Sequence, residues 1–193
     1  VDPLVADFLK TCNQKRDLDL ALEKLQLLET RGLATVSHYS LVLLLINSNK
    51  NLSERVSLGE SLVPRLVRQG LEPDDMFISR LMKLYTKGGK PARAWGIFEA
   101  IASEDASMVT VRTVSSAVSA LFESGRAGDA ARLVDGLMER KIACGFQPVN
   151  RFIAQALSFG KEPEKAALIM RVSSSTCALL TSPLTSLAAV FVC

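Results

Sequence analysis

The stretch FISRLMKLYTKGGKPARAWGIF, residues 77–98, decides the fold. Phe77, Ile78, Leu81, Leu84 and Tyr85 recur at the three- and four-residue spacing of one helix face. Gly88-Gly89 turn the chain. Pro91 stands where a second helix begins, since its missing N–H is one that a helix start leaves unpaired anyway. Trp95 and Phe98 answer the first apolar face, with Ala94 where the two helices would cross. One such hairpin leaves an apolar face open to water and needs neighbours of its own kind.

The flanking sequence supplies them. Residues 3–12 and 18–31 read as helices, the second with Leu18, Ala21, Leu22, Leu25 and Leu28 on one face and Gly32 as its stop. Ser37 suits the N-cap of a helix over 38–48, whose LVLLLI run is apolar nearly all round and so belongs at the centre. Residues 47–57, NSNKNLSERVS, read as a polar loop. A helix over 58–69 follows, which Pro64 should kink or start late. Asp74 or Asp75 caps the helix 76–87, and 91–102 is its partner. Further helices are predicted over 111–123, 128–141, 149–158 and 163–172.

A fixed register tests this reading. Small residues fall at Ala21, Gly59, Ala94, Ala130 and Ala166, spaced by 38, 35, 36 and 36. In three hairpins the small residue lies five after a turn residue: Arg16, Gly89 and Gly125. Paired helices at a period near 35 predict an all-α fold, an α-solenoid of about five helix-turn-helix repeats over residues 1–172. The remaining stretch, 173–193, is uncharged and without amphipathic repeat, and reads as an irregular or disordered tail.

Composition narrows the function. The chain has 193 residues and is 48% hydrophobic, enough for a packed core. A formal net charge of +3 carries little information, so any polyanion partner must be argued from where Lys and Arg stand. Cys12, Cys144, Cys177 and Cys193 form no CxxC pair and lie far from the single His38, which argues against a metal site or disulfide framework. Buried, reduced thiols are expected instead. No nucleophile triad, phosphate loop, paired-carboxylate motif or cofactor fingerprint occurs, so neither catalytic residues nor cofactors are expected in this stretch. The longest apolar run, 177–193, is broken by Thr181, Ser182, Pro183, Thr185 and Ser186, and no membrane span is expected. The first residue is Val1 rather than Met, so a preceding segment is expected.

HYSLVLLLI (38–46) with QGLEPD (69–74), FISRLMKLYTKGGKPARAWGIF (77–98), and LFESGRAGDAARLVDGLMERK (121–141) with GFQP (145–148) resemble the pentatricopeptide-repeat unit. The tetratricopeptide unit fits less well, since it wants a Trp early in the first helix, whereas Trp95 lies in a second helix. The resemblance spans about 3–172 and departs from the pattern at 49–57, in the first unit and between Gly145 and Arg151. It implies an RNA-binding protein of a mitochondrion or plastid. A narrower resemblance is to the repeat modules of protein-only RNase P enzymes: CNQKRDLDLALEKL (12–25), HYSLVLLL (38–45), an insertion, then GESLVPRLVRQGLEP (59–73) run in similar order. It implies recognition of precursor tRNA, with any nuclease chemistry in a further domain downstream. The rival reading is a structural adaptor within an organellar ribosome or other ribonucleoprotein assembly.

The resemblance also assigns residues. In such repeats the first helices line the binding surface, and one early residue together with the last residue of the repeat reads a base. By register the early residues are Ser40, Ser79, Ser115 and Arg151, and Asp74 is the last residue paired with Ser40. Independently, Ser79, Lys83 and Lys87 share one helical stripe with Arg80 at its edge, which suits phosphates, and Arg112 extends it. Ser119 and Glu123 interrupt the basic track. Trp95, Tyr85, Phe98 and Tyr39 are expected in the core, and His38 at the surface.

Overall fold

The computed structural model describes residues 2–49, 52–104, 106–126, 128–130, 132, 133 and 136. The helices expected at 149–158 and 163–172, most of that at 128–141, Ala166, Arg151 and the 173–193 tail lie outside them.

Three first helices share one register. Helices α3 (Val36–Ser48), α5 (Asp75–Lys87) and α7 (Val111–Glu123) are each 13 residues long, with N-caps Thr35, Asp74 and Thr110. The caps are spaced by 39 and 36, as are the serines Ser40, Ser79 and Ser115. Helices α1 (Pro3–Lys10), extended by a π-helical turn over Thr11–Lys15, and α2 (Leu18–Thr30) form the first hairpin. Helices α4 (Leu52–Arg68) and α6 (Pro91–Glu104) complete the second and third. No strand occurs among the described residues.

The hairpins stack in two layers. The π-turn, α3, α5 and α7 lie side by side, and α2, α4 and α6 each pack against the first helices on either side of them. Each hairpin therefore covers the apolar face of the next. Leu25, Leu28, Tyr39, Leu43, Ile46, Leu62, Leu66, Phe77, Met82 and Leu84 are fully or nearly fully buried between the layers. Side chains of this size contribute roughly 1.5–3 kcal/mol each on burial.

The small residues mark the helix crossings. Ala21, Ala94 and Ala130 are fully buried, and a Cβ on Gly59 would stand 2.1 Å from Leu84 Cδ2. The turn residues five before three of them, Arg16, Gly89 and Gly125, all have positive φ, of 53°, 72° and 71°. In each turn the next amide or the residue's own closes on the preceding helix: Arg16 N on Thr11 O, Lys90 N on Tyr85 O, Arg126 N on Leu121 O. Gly32 and Gly70 end α2 and α4 in the same left-handed way.

Several expectations need correction. The predicted loop over 47–57 is largely helix, because α4 begins at Leu52. Val56 and Arg55 are buried there, and Val56 Cγ2 lies where a Cβ on Gly88 would fall. Tertiary burial thus outweighs the polar composition. Pro64 does not delay the helix, which runs through it. The α3 cap is Thr35 rather than Ser37. His38 is only 6% exposed: its Nδ1 accepts the Thr35 amide at 3.1 Å, and its ring meets Phe8 edge-on at 5.0 Å. A histidine here takes the place that Glu or Gln usually holds in a capping box. Cys12 is a buried free thiol whose pKa burial raises to about 11; the other cysteines lie outside the described residues.

Two predictions follow from these local geometries. Arg16 is the only non-glycine residue with positive φ among the described residues, so Arg16→Gly should raise unfolding free energy by about 0.5–1 kcal/mol in urea titration. Burial lowers the His38 pKa, so between that lowered value and 6.5 the unfolded chain binds the extra proton. Stability should therefore fall as pH drops below about 6.5, by at most ~1.4 kcal/mol per pH unit. Thermal melts at pH 7.5 and 5.5 should show a smaller difference for His38→Gln, and the single histidine NMR signal should titrate below 6.5.

Candidate functional site

The first-helix layer has one face against the second helices and one face open. Register gives four rows along the first helices: Ser37, Met76 and Arg112; Leu41, Arg80 and Ser116; Leu44, Lys83 and Ser119; Ser48, Lys87 and Glu123, all on the open face except Ser116, which is buried in the α5–α7 seam. The α3 column is uncharged, and Leu44 is 44% exposed. The α5 column carries Arg80, Lys83 and Lys87. The α7 column runs from Arg112 to Glu123.

The α5 cations are tied to α3. Arg80 Nη1 donates to the Ser40 carbonyl at 2.5 Å, and Lys87 Nζ donates to the Asn47 carbonyl at 3.3 Å. Asn47 Nδ2 returns a bond to the Arg80 carbonyl at 3.0 Å. A guanidinium has five donors and an ammonium three, so each cation keeps further donors beyond these bonds. Burial lowers the Arg80 pKa, which the nearby Asp74 charge opposes. Arg80 is effectively always charged in proteins, so the consequence is a cation held in place rather than a neutral one. Between α5 and α7 the tie is Ser116 Oγ, which donates to the Ser79 carbonyl at 3.3 Å.

The aspartates divide their work. Asp74 accepts the Phe77 amide at 2.7 Å and caps α5. Asp75 Oδ2 accepts from Thr110 Oγ1 and from Arg112 Nη1, both at 3.0 Å, and so joins the starts of α5 and α7.

The structure separates the sequence-predicted residues into two sets. Arg80, Lys83 and Lys87 form one continuous column, and Arg112 stands exposed at the α7 end of the first row. Ser40, Ser79 and Ser115 are only 2%, 2% and 8% exposed, so they are seam residues and not surface ones. Ser79 Oγ donates to the Met76 carbonyl, and Ser40 Oγ has no hydrogen-bond partner. The stripe thus continues through Arg80, not through Ser79. A period of 3.6 puts Ser79 and Lys83 on one line, but neighbouring helices cover the Ser79 side of it. Arg151 lies outside the described residues. Sequence reasoning missed Asn47, whose Oδ1 is also buried without a partner. Its position opposite the α5 stripe was a usable signal.

The second-helix layer also has an open outer face, on which Leu27 and Val67 are 45% and 60% exposed. A shallow cleft there is lined by Gln26, Glu29, Arg65, Arg68 and Gln69. Its carboxylate is already occupied: Glu29 accepts from Tyr39 OH at 2.7 Å and from Arg65 Nε and Nη2 at 3.0 Å each. Trp95 stacks on Phe98 at 5.6 Å with the Arg126 guanidinium over its ring, and is half-buried against the core rather than enclosed in it. Among the described residues no group of His, Cys, Asp or Glu is placed to hold a metal ion, and no helix is long and apolar enough to cross a membrane.

This architecture has a solved counterpart. The chain is similar in fold to the pentatricopeptide-repeat domain of Arabidopsis thaliana protein-only RNase P 1, determined in complex with tRNA. The TM-score is 0.63 over 94% of this chain and 92% of that one, at 14% identity. No family model matches the sequence, and no curated protein matches it. The chain therefore has the all-helical solenoid fold of pentatricopeptide-repeat proteins.

The ties predict unequal roles for the cations. Arg80→Leu should lower unfolding free energy by about 1–3 kcal/mol, because it leaves the Ser40 carbonyl without its charged donor. Lys87→Ala, at an exposed site with a long hydrogen bond, should stay within about 0.5 kcal/mol of the parent. Urea denaturation of both variants measures the difference.

Proposed function

We propose that this protein binds RNA through the open face of its first-helix layer. The observation that carries the reading is the α5 column: three cations, spaced 80, 83 and 87, on the open face of the first-helix layer. Arg80 and Lys87 are pre-oriented by backbone carbonyls of α3. Cations held this way lose less side-chain entropy on meeting a phosphate than freely rotating ones. The fold likeness to a domain determined with tRNA supports the same partner class.

The finer reading is a role in organellar RNA processing, in a mitochondrion or plastid, as the precursor-tRNA-recognising module of a protein-only RNase P. The order of hairpins supports it, as does the place of the extra residues of the second repeat, which lengthen the start of its second helix, α4. Ser40 and Asp74 belong to this proposal as a base-reading pair. In the structure Asp74 serves as a helix cap and Ser40 Oγ is buried without a partner, so base reading would need Arg80 to yield the Ser40 seam. A structural adaptor in a ribonucleoprotein assembly is the second reading, and the neutral α3 column with exposed Leu44 favours it.

The test is a charge reversal. Lys83→Glu with Lys87→Glu should weaken binding to an unmodified tRNA transcript at least tenfold at 0.1 M salt and flatten its salt dependence, with circular dichroism unchanged. Equal binding by parent and variant would remove the α5 column from the RNA interface.

A further inference from the structure

The distribution of charge on the open face has a direction. Read across the repeats, every row that includes an α5 cation holds that cation alone, between an uncharged α3 residue and a serine or Glu123 of α7. Read along α5, every turn of the helix from Arg80 to Lys87 presents a cation. The column spans about 10 Å at ~1.5 Å of rise per residue. That length matches roughly two or three phosphates, at ~3.4 Å of axis per phosphate on one duplex strand.

A second observation points the same way. Reading one base per repeat requires an accessible group at the same place in successive first helices. The three register-equivalent serines are instead enclosed in the helix seams, at 2%, 2% and 8% exposure. Ser79 Oγ is also occupied by its own helix. The face thus concentrates its charge along α5, with Arg112 of α7 paired to Asp75 at one end, and the register serines offer no accessible group across helices.

We infer that the RNA backbone lies along α5, across the direction in which the repeats stack, and that this face reads phosphate positions rather than one base per repeat. The inference rests on the reading that this face binds RNA. Arg80, Lys83 and Lys87 then meet consecutive phosphates of one strand. The uncharged α3 column, with Leu41 and Leu44, borders the strand on one side, and Ser119 and Glu123 of α7 border it on the other. Binding of this kind is set by backbone shape and salt, with little dependence on base identity.

A charge relocation at constant net charge tests the direction. The double variant Lys87→Ala with Leu44→Lys removes one cation from the column and places it in the row of Lys83, on the exposed α3 position. The probe is a 12-residue oligouridylate, with affinity measured by fluorescence anisotropy between 50 and 200 mM salt, and folding checked by circular dichroism. A backbone along α5 loses one phosphate contact: the slope of log K against log salt should become shallower by about 0.7, and affinity at low salt should fall several-fold. A backbone running across the repeats gains a second in-row contact, and an unchanged or steeper slope with equal or tighter binding would overturn the inference. Absence of measurable binding by the parent chain to both oligouridylate and tRNA would instead overturn the RNA reading itself. A more than tenfold preference for oligouridylate over oligoadenylate of equal length would overturn the phosphate-only readout while leaving RNA binding intact.

Discussion

Everything in this molecule depends on first helices lying against first helices. A single hairpin exposes an apolar face that water penalises, and only a neighbour in the same orientation covers it. The polar ties in the α3–α5 seam follow from that closeness. Arg80, Asn47 and Lys87 reach main-chain carbonyls or are reached by them because the two helices run side by side in register. Side-chain ion pairs join the helices of the second layer, Arg65 with Glu29 and Arg93 with Glu60, and Arg112 with Asp75 adds one between α5 and α7 of the first. The α3–α5 seam is therefore one in which side chains meet main-chain carbonyls.

The seam ties explain how the face and the scaffold share residues. Arg80 closes the seam and also heads the cationic column. Its charge persists because guanidinium stays protonated even when partly desolvated. Asp75 performs a similar double duty, since it holds Arg112 at the rim and takes the Thr110 hydroxyl beneath it. The surface chemistry of the open face is thus a by-product of contacts that hold the repeats together, rather than an addition to a finished fold.

Much of this was legible in the sequence, for a physical reason. The helices, the crossing residues and the left-handed turns are local or strictly periodic features. Ala21, Ala94 and Ala130 could be placed from spacing alone, and Arg16 could be matched with Gly89 and Gly125 before its φ was known. What escaped was set by neighbours. LSERVS reads as polar loop until Val56 finds the surface at Gly88. His38 reads as a surface residue until Phe8 of the preceding hairpin closes over it. The serines read as a readout row until adjacent helices enclose them. In each case the deciding contact comes from a segment 30 or more residues away, which periodicity within one helix does not report.

The lengths of the hairpins carry a consequence of their own. First helices recur at 39 and then 36 residues, yet α3, α5 and α7 keep the same length of 13 residues and each start on a Thr or Asp cap. The surplus in the second repeat is absorbed by α4, whose 17 residues grow toward its start on the far side of the scaffold. Chain length can therefore vary between repeats without altering the spacing of the open face. The back of the solenoid acts as an expansion joint, so insertions there are the changes that this architecture tolerates with least disturbance to whatever the front surface holds.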